Sequence, residues 1–136
     1  MLEGLVKALV EELAIADGFK REDEKGYSFK LNLEQEIKVL KLESGAYLYA
    51  KIGQCPLVKR EELFILLMKA NFLGQGTGGA VIGLDESENF LTLSFHLPYD
   101  MNYKIFRDAL EDFTNFLDYW KDELIRHKKA AEQGIL

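Results

Sequence analysis

The chain has 136 residues, 48% of them hydrophobic and 29% charged, which is the make-up of one globular domain with its own core. Lys and Arg number 17 against 23 Asp and Glu, a net charge of −6, which leaves no basic footprint for nucleic acid or an anionic membrane. Two prolines, one cysteine and no apolar run near the roughly 20 residues of a membrane helix argue against long linkers, an internal disulfide and a transmembrane segment.

In chain order, Leu2, Leu5, Val6, Leu9, Val10 and Leu13 recur at helical spacing, and Gly18 is the expected C-cap. This start carries acids within an amphipathic pattern, unlike the basic start and continuous apolar run of an export signal, so a cytoplasmic protein is expected. Three strands follow. The first alternates Tyr27, Phe29, Leu31 and Leu33 against Ser28, Lys30 and Asn32; the second begins at Ile37 and the third at Ala46. Their short breaks predict an antiparallel meander, with Leu48, Ala50 and Ile52 on one face and Tyr47 and Tyr49 on the other.

Pro56 ends the meander, and a helix is predicted from Lys59. Its run from Leu63 to Met68 is apolar all round, so it needs cover on more than one side. One small sheet can cover only one side, which makes a second copy of the chain the expected cover. Then come two strands, over 80–84 and 90–97, the second ended by Pro98. A last helix carries the seam Tyr103, Phe106, Leu110, Phe113, Leu117, Trp120 and Leu124, broadened by Phe116 and Tyr119, with Asp100 or Asn102 as its cap. Residues 1–124 thus make one domain, and 125–136 a helical extension or a frayed tail. The predicted class is α+β, in the order α-β-β-β-α-β-β-α, with helices packed on an antiparallel sheet.

Between the middle helix and the fourth strand, Gly74, Gly76 and Gly79 spell G-x-G-x-x-G. A dinucleotide loop needs that spacing after a strand and at the start of a helix, and here the order is reversed. No Lys-Ser or Lys-Thr follows, so a Walker loop fails as well. Gly74, Gly76, Gly78 and Gly79 are therefore read as a structural turn, with Gly76 expected at positive φ. The acid pairs Glu61-Glu62 and Glu111-Asp112 read as solvated helix faces, and Cys55, His96 and His127 carry no catalytic or metal-binding signature. No cofactor and no catalytic residue are predicted.

The stretch from "LLMKANFLGQGTGG" through "FLTLSFHLP" to "ALEDFTNFLDYW" resembles the Tir chaperone (CesT) family, the class I chaperones of bacterial type III secretion. The residues that carry the likeness include Ala70, Asn71, Leu73, Gly74, Gly79, Leu84, Asp85, Leu93, Leu97, Pro98, Leu110, Phe113 and Trp120. The resemblance implies a small acidic homodimer, without ATP chemistry of its own, in the bacterial cytoplasm. Such proteins hold the N-terminal region of a secreted effector partly extended and help present it to the secretion ATPase. The family's use of its middle helix implies a dimer interface at Leu63, Leu66, Leu67, Ala70 and Leu73. Apolar residues surplus to the core supply candidate effector grooves: Leu5, Ile15, Phe29, Leu31, Leu40, Leu42 and Tyr49. The competing reading is a dimeric regulator or scaffold of the same fold that binds folded partners.

Overall fold

The computed structural model describes residues 2–23, 26–32, 35–98 and 100–134. Helix α1 spans Leu2–Glu12 and is followed by β1 (Phe19–Asp23), β2 (Gly26–Lys30), β3 (Glu36–Leu42) and β4 (Gly45–Gln54). Helix α2 (Arg60–Asn71) runs into a 3-10 turn at Phe72–Gly74; β5 (Val81–Leu84), β6 (Phe90–His96) and α3 (Tyr103–Glu132) complete the chain. The strands form one sheet in the order β1-β2-β3-β4-β6-β5, with β1 to β4 an antiparallel meander. The α+β class is as expected, with six strands in place of five.

The added strand is β1. Its sequence, Phe-Lys-Arg-Glu-Asp, has one apolar residue and therefore none of the alternation that reveals a half-buried strand. It sits at the end of the sheet order, where charged side chains blunt an open edge. The Phe19 ring meets Tyr27 edge-on, and Ser28 Oγ donates to Glu22 at 2.6 Å. That bond explains why Ser28 is buried beside Phe29, against the simple alternation of the sequence. Leu31 falls in a bend after β2, and Leu33 lies outside the described residues. In β4 the alternation holds, with Leu48, Ala50 and Ile52 buried and the two tyrosines half-buried.

The chain divides into two compact units. The first, Met1–Ala50 with Ser94–Asp112, has a core of Val6, Leu9, Ile37, Val39, Leu48, Leu97 and Phe106. Here α1 ends at a left-handed Ala14, φ 51°, with the Ile15 N–H reaching Val10 O and the Ala14 N–H reaching Glu11 O. That is a Schellman cap, so Gly18 does not cap this helix; it turns the chain into β1 instead. The Asn102 carboxamide caps α3 by accepting the Ile105 N–H at 2.9 Å. Glu12 accepts from Tyr103 Oη and from Arg107 Nη1, which ties the end of α1 to the first turns of α3.

The second unit, Lys51–Leu93 with Phe113–Leu136, is built on Ile52, Leu63, Leu67, Ile82, Leu91, Leu93, Phe113, Leu117, Trp120 and Leu124. From Phe106 to Leu124 the steps of the α3 seam are buried, whereas Tyr103 at its start and Phe116 beside it are half-buried and Tyr119 is exposed. The helix continues past Leu124 to Glu132, one turn of it through the buried His127, so this part of the tail is helical.

Candidate partner-binding surfaces

Helix α2 faces its own unit with Leu63, Leu67 and Ala70, spaced four and three apart, and these are buried. Phe64 is half-buried, and the others point away: Ile65 is 49% exposed, Leu66 43% and Met68 73%, and Phe72 and Leu73 just past the helix are exposed too, Leu73 at 82%. A monomer surface rarely keeps so many large apolar groups together on one element without a partner. Of the five residues expected at a dimer interface, then, Leu63, Leu67 and Ala70 lie in the chain's own core, and Leu66 and Leu73 are open. The sequence pattern missed Ile65, Met68 and Phe72 on the open face. The signal was there in the i, i+4, i+7 spacing of the three buried residues, which fixes the phase of the helix.

The glycine loop closes this unit. Gly74 is left-handed (φ 70°), and a side chain on it would come within 2.8 Å of Gly79 Cα. The Gly76 N–H donates to Ala70 O at 2.9 Å, Gln75 to Phe72 O, and both Thr77 and Gly79 to Gly74 O. These amides are spent inside the loop, whereas a phosphate-binding loop must offer its amides to the ligand. The spacing of a nucleotide motif is present, but its donors are already committed.

Two residues that carry the family resemblance hold the loop from outside. The Asn71 side chain accepts from the Ile82 N–H and donates to Ile82 O, both at 2.8 Å, and so occupies part of the backbone edge of β5. The Trp120 Nε1–H donates to Gly76 O at 2.9 Å. Gly76 is not at positive φ, contrary to the sequence expectation; it is small because its Cα faces the α2 backbone. A Cβ there would stand 2.9 Å from Ala70 Cα. Gly76→Val should therefore cost about 1–3 kcal/mol by overpacking, read as a lower urea midpoint; an unchanged midpoint would contradict this packing.

Beside the loop lies an open, mainly apolar cleft of about 560 Å³, lined by Leu66, Ala70, Gly76, Phe116, Tyr119 and Trp120 among others. A separate cleft of about 660 Å³ lies in the first unit. Its apolar lining includes Leu2, Leu42, Leu97, Pro98 and Met101; Arg21, Lys41, Glu3 and Asp100 also face it. His96 stands at this cleft, exposed and stacked on Tyr47 at 4.8 Å, on the opposite sheet face from the core as its alternation predicts. Of the expected groove residues only Leu42 lines this cleft. Phe29 is buried in the core, and Leu5, Ile15, Leu31, Leu40 and Tyr49 are half-buried. Leu2 was read as part of the α1 face and Leu97 and Pro98 as part of the family resemblance, but none of them, nor Met101, was expected at a groove, because residues at element ends meet only in the folded chain.

Among the described residues, no group of three or more His, Cys, Asp or Glu side chains is placed to hold a metal, and no helix is long and apolar enough to cross a membrane. Asp85 heads the turn between β5 and β6. Burial works to raise its carboxyl pKa, but hydrogen bonds from Ser87 and from the Phe90 and Asn89 backbone, with Lys51 nearby, hold it below the usual value. The group orders a hairpin turn.

A Chlamydia pneumoniae protein is 25% identical over 126 residues, covering 91% of this chain and 96% of the relative. The ExsC–ExsE complex contains a chain of the same fold, with TM-score 0.74, 14% identity, and 89% and 91% of the two chains covered. The HopA1–SchA chaperone–effector complex contains another, with TM-score 0.66, 10% identity, and 89% and 93% covered. YbjN of E. coli, a proposed transcription regulator, shares the fold at TM-score 0.61 and 14% identity, with 94% and 93% covered. The Tir chaperone protein (CesT) family profile matches residues 4–121, nearly the whole of both units, including Asn71, the glycine loop and Trp120. The chain belongs to the Tir chaperone protein (CesT) family, the chaperones of type III secretion effectors.

Proposed function

We propose that the protein binds the N-terminal region of one or more secreted effectors and keeps that segment extended, stable and ready for export. It works as a homodimer in the bacterial cytoplasm, uses no nucleotide or cofactor of its own, and hands its cargo to the secretion ATPase. Within the family, the observation that carries this reading is the apolar cleft of the first unit, with Leu2, Leu42, Leu97 and Met101 among its lining. A disordered segment gives up conformational entropy on binding, so it needs apolar pockets and backbone pairing to offset the loss. The cleft supplies pockets, and the edge strand β1 offers pairing.

The fold shared with YbjN favours a second reading, in which the dimer binds a folded partner. Purification of the tagged chain from its native host, followed by mass spectrometry, separates the two. The proposal predicts a larger secreted protein as the main companion, and recovery of a non-secreted regulator in its place would favour the second reading.

A further inference from the structure

Tyr47 on β4 and His96 at the end of β6 lie side by side on the sheet face away from the core, their rings 4.8 Å apart and 19° from parallel. Tyr47 Oη and Ser44 Oγ share a hydrogen bond of 2.8 Å, which fixes the tyrosine ring. Gly45 makes room for the imidazole. A Cβ there would collide with His96 Nε2, and its φ of 133° is one that L side chains rarely adopt. His96 is thus held against Tyr47 with one ring face covered, while the residue as a whole is exposed. It lines the cleft of about 660 Å³ together with Leu42, Pro98 and Met101.

We infer that His96 is a stacking platform, and that the cleft takes an aromatic side chain of the bound segment onto the free face of its ring. This rests on the segment-binding role proposed above and names the kind of residue the cleft selects. Charge does not select here. Among the described residues that line the cleft, the bases Arg21 and Lys41 are matched by the acids Glu3 and Asp100. An incoming ion meets repulsion as well as attraction, and it must shed water to enter. An aliphatic side chain gains burial alone. A flat ring gains burial and an offset stack on the imidazole, which is worth a few-fold to roughly tenfold in affinity beyond the buried area. Met101 adds a thioether, a group that packs well against ring edges. The platform is also in place before anything binds, through Tyr47 on one side and the missing Cβ of Gly45, so binding costs the protein little ordering.

The probe is N-acetyl-tryptophanamide, titrated into the full chain at constant pH and followed by proton NMR. The chain has two histidines, His96 and His127, so the imidazole signals are assigned by substituting one of them. A stacked indole should move the His96 ring protons upfield and saturate in the millimolar range of so small a ligand, while the buried His127 stays unmoved. N-acetyl-leucinamide and N-acetyl-argininamide in equal amount should not displace the indole. Read on the indole's own signals, affinity should fall roughly tenfold in His96→Ala and be kept in His96→Phe, which retains a ring. Gly45→Ala should mimic His96→Ala by displacing the imidazole, and His96→Ala decides alone if that chain fails to fold. An unmoved His96, displacement by either competitor, or His96→Phe as weak as His96→Ala would overturn the platform. Each of those results leaves the segment-binding role standing, since that role is tested by what co-purifies from the host. Indole binding by a chain that retains no secreted protein would keep the aromatic site and remove the segment.

Discussion

Leu66→Asp is expected to turn the dimer into a monomer that is still folded. Leu66 lies on the open face of α2, so the proposed homodimer would bury two new carboxylates in apolar surroundings with no partner. Each such burial costs several kcal/mol, and about 1.4 kcal/mol is a factor of ten in dissociation constant, so the dimer should weaken by roughly a thousandfold or more. Light scattering reads the mass, and circular dichroism reads the fold, which should hardly change because the side chain is exposed in the single chain. Leu67→Asp is the contrast. Leu67 is buried in its own unit, so the same charge there should lower the stability of the monomer itself. A Leu66→Asp protein that remains fully dimeric would remove α2 from the interface.

Trp120→Ala should produce the largest loss of stability. The ring is buried in the α3 seam, touches Tyr119 edge-on, and donates to the Gly76 carbonyl. Truncating a buried aromatic residue costs about 3–5 kcal/mol, against a total stability of about 5–15 kcal/mol for a domain. Trp120→Phe separates the two contributions. It keeps most of the apolar volume but leaves the Gly76 carbonyl without its donor, at a cost of about 1–3 kcal/mol. Urea unfolding curves for the two variants give the comparison. Equal midpoints for Trp120→Ala and the wild type would mean that the loop is not anchored through this residue.

The amphipathic helices and the meander could be read from the chain because each buries one face, and a buried face imprints a period on the sequence. The α3 seam shows this most clearly: its steps from Phe106 to Leu124 are buried, whereas Tyr103 at the first turn is half-buried and Tyr119, expected to broaden the seam, is 53% exposed. Strand β1 escaped because a charged edge strand buries almost nothing and so leaves no period. Helix α2 was read correctly as apolar all round, but its two sides could not be told apart by hydrophobicity alone, since one faces the unit's core and the other lies open. Phe29 looked like surplus surface for a similar reason, because Ser28 is drawn inward by Glu22 and the strand is covered on both faces. The clefts were the least legible feature. They are lined from element ends such as Leu97, Pro98 and Met101, which only the folded chain brings together. The glycine loop shows the opposite case, a motif visible in sequence whose meaning depends on where its amides point.

Limited proteolysis of the complex from the native host reads out whether the protein holds a segment of another protein in extended form. Digestion products would be identified by mass spectrometry, with and without the chaperone bound. One protected stretch is expected in the N-terminal region of the secreted partner, cut freely when the partner is alone. Protection of a compact folded domain that also resists cleavage on its own, with no such stretch protected, would contradict it.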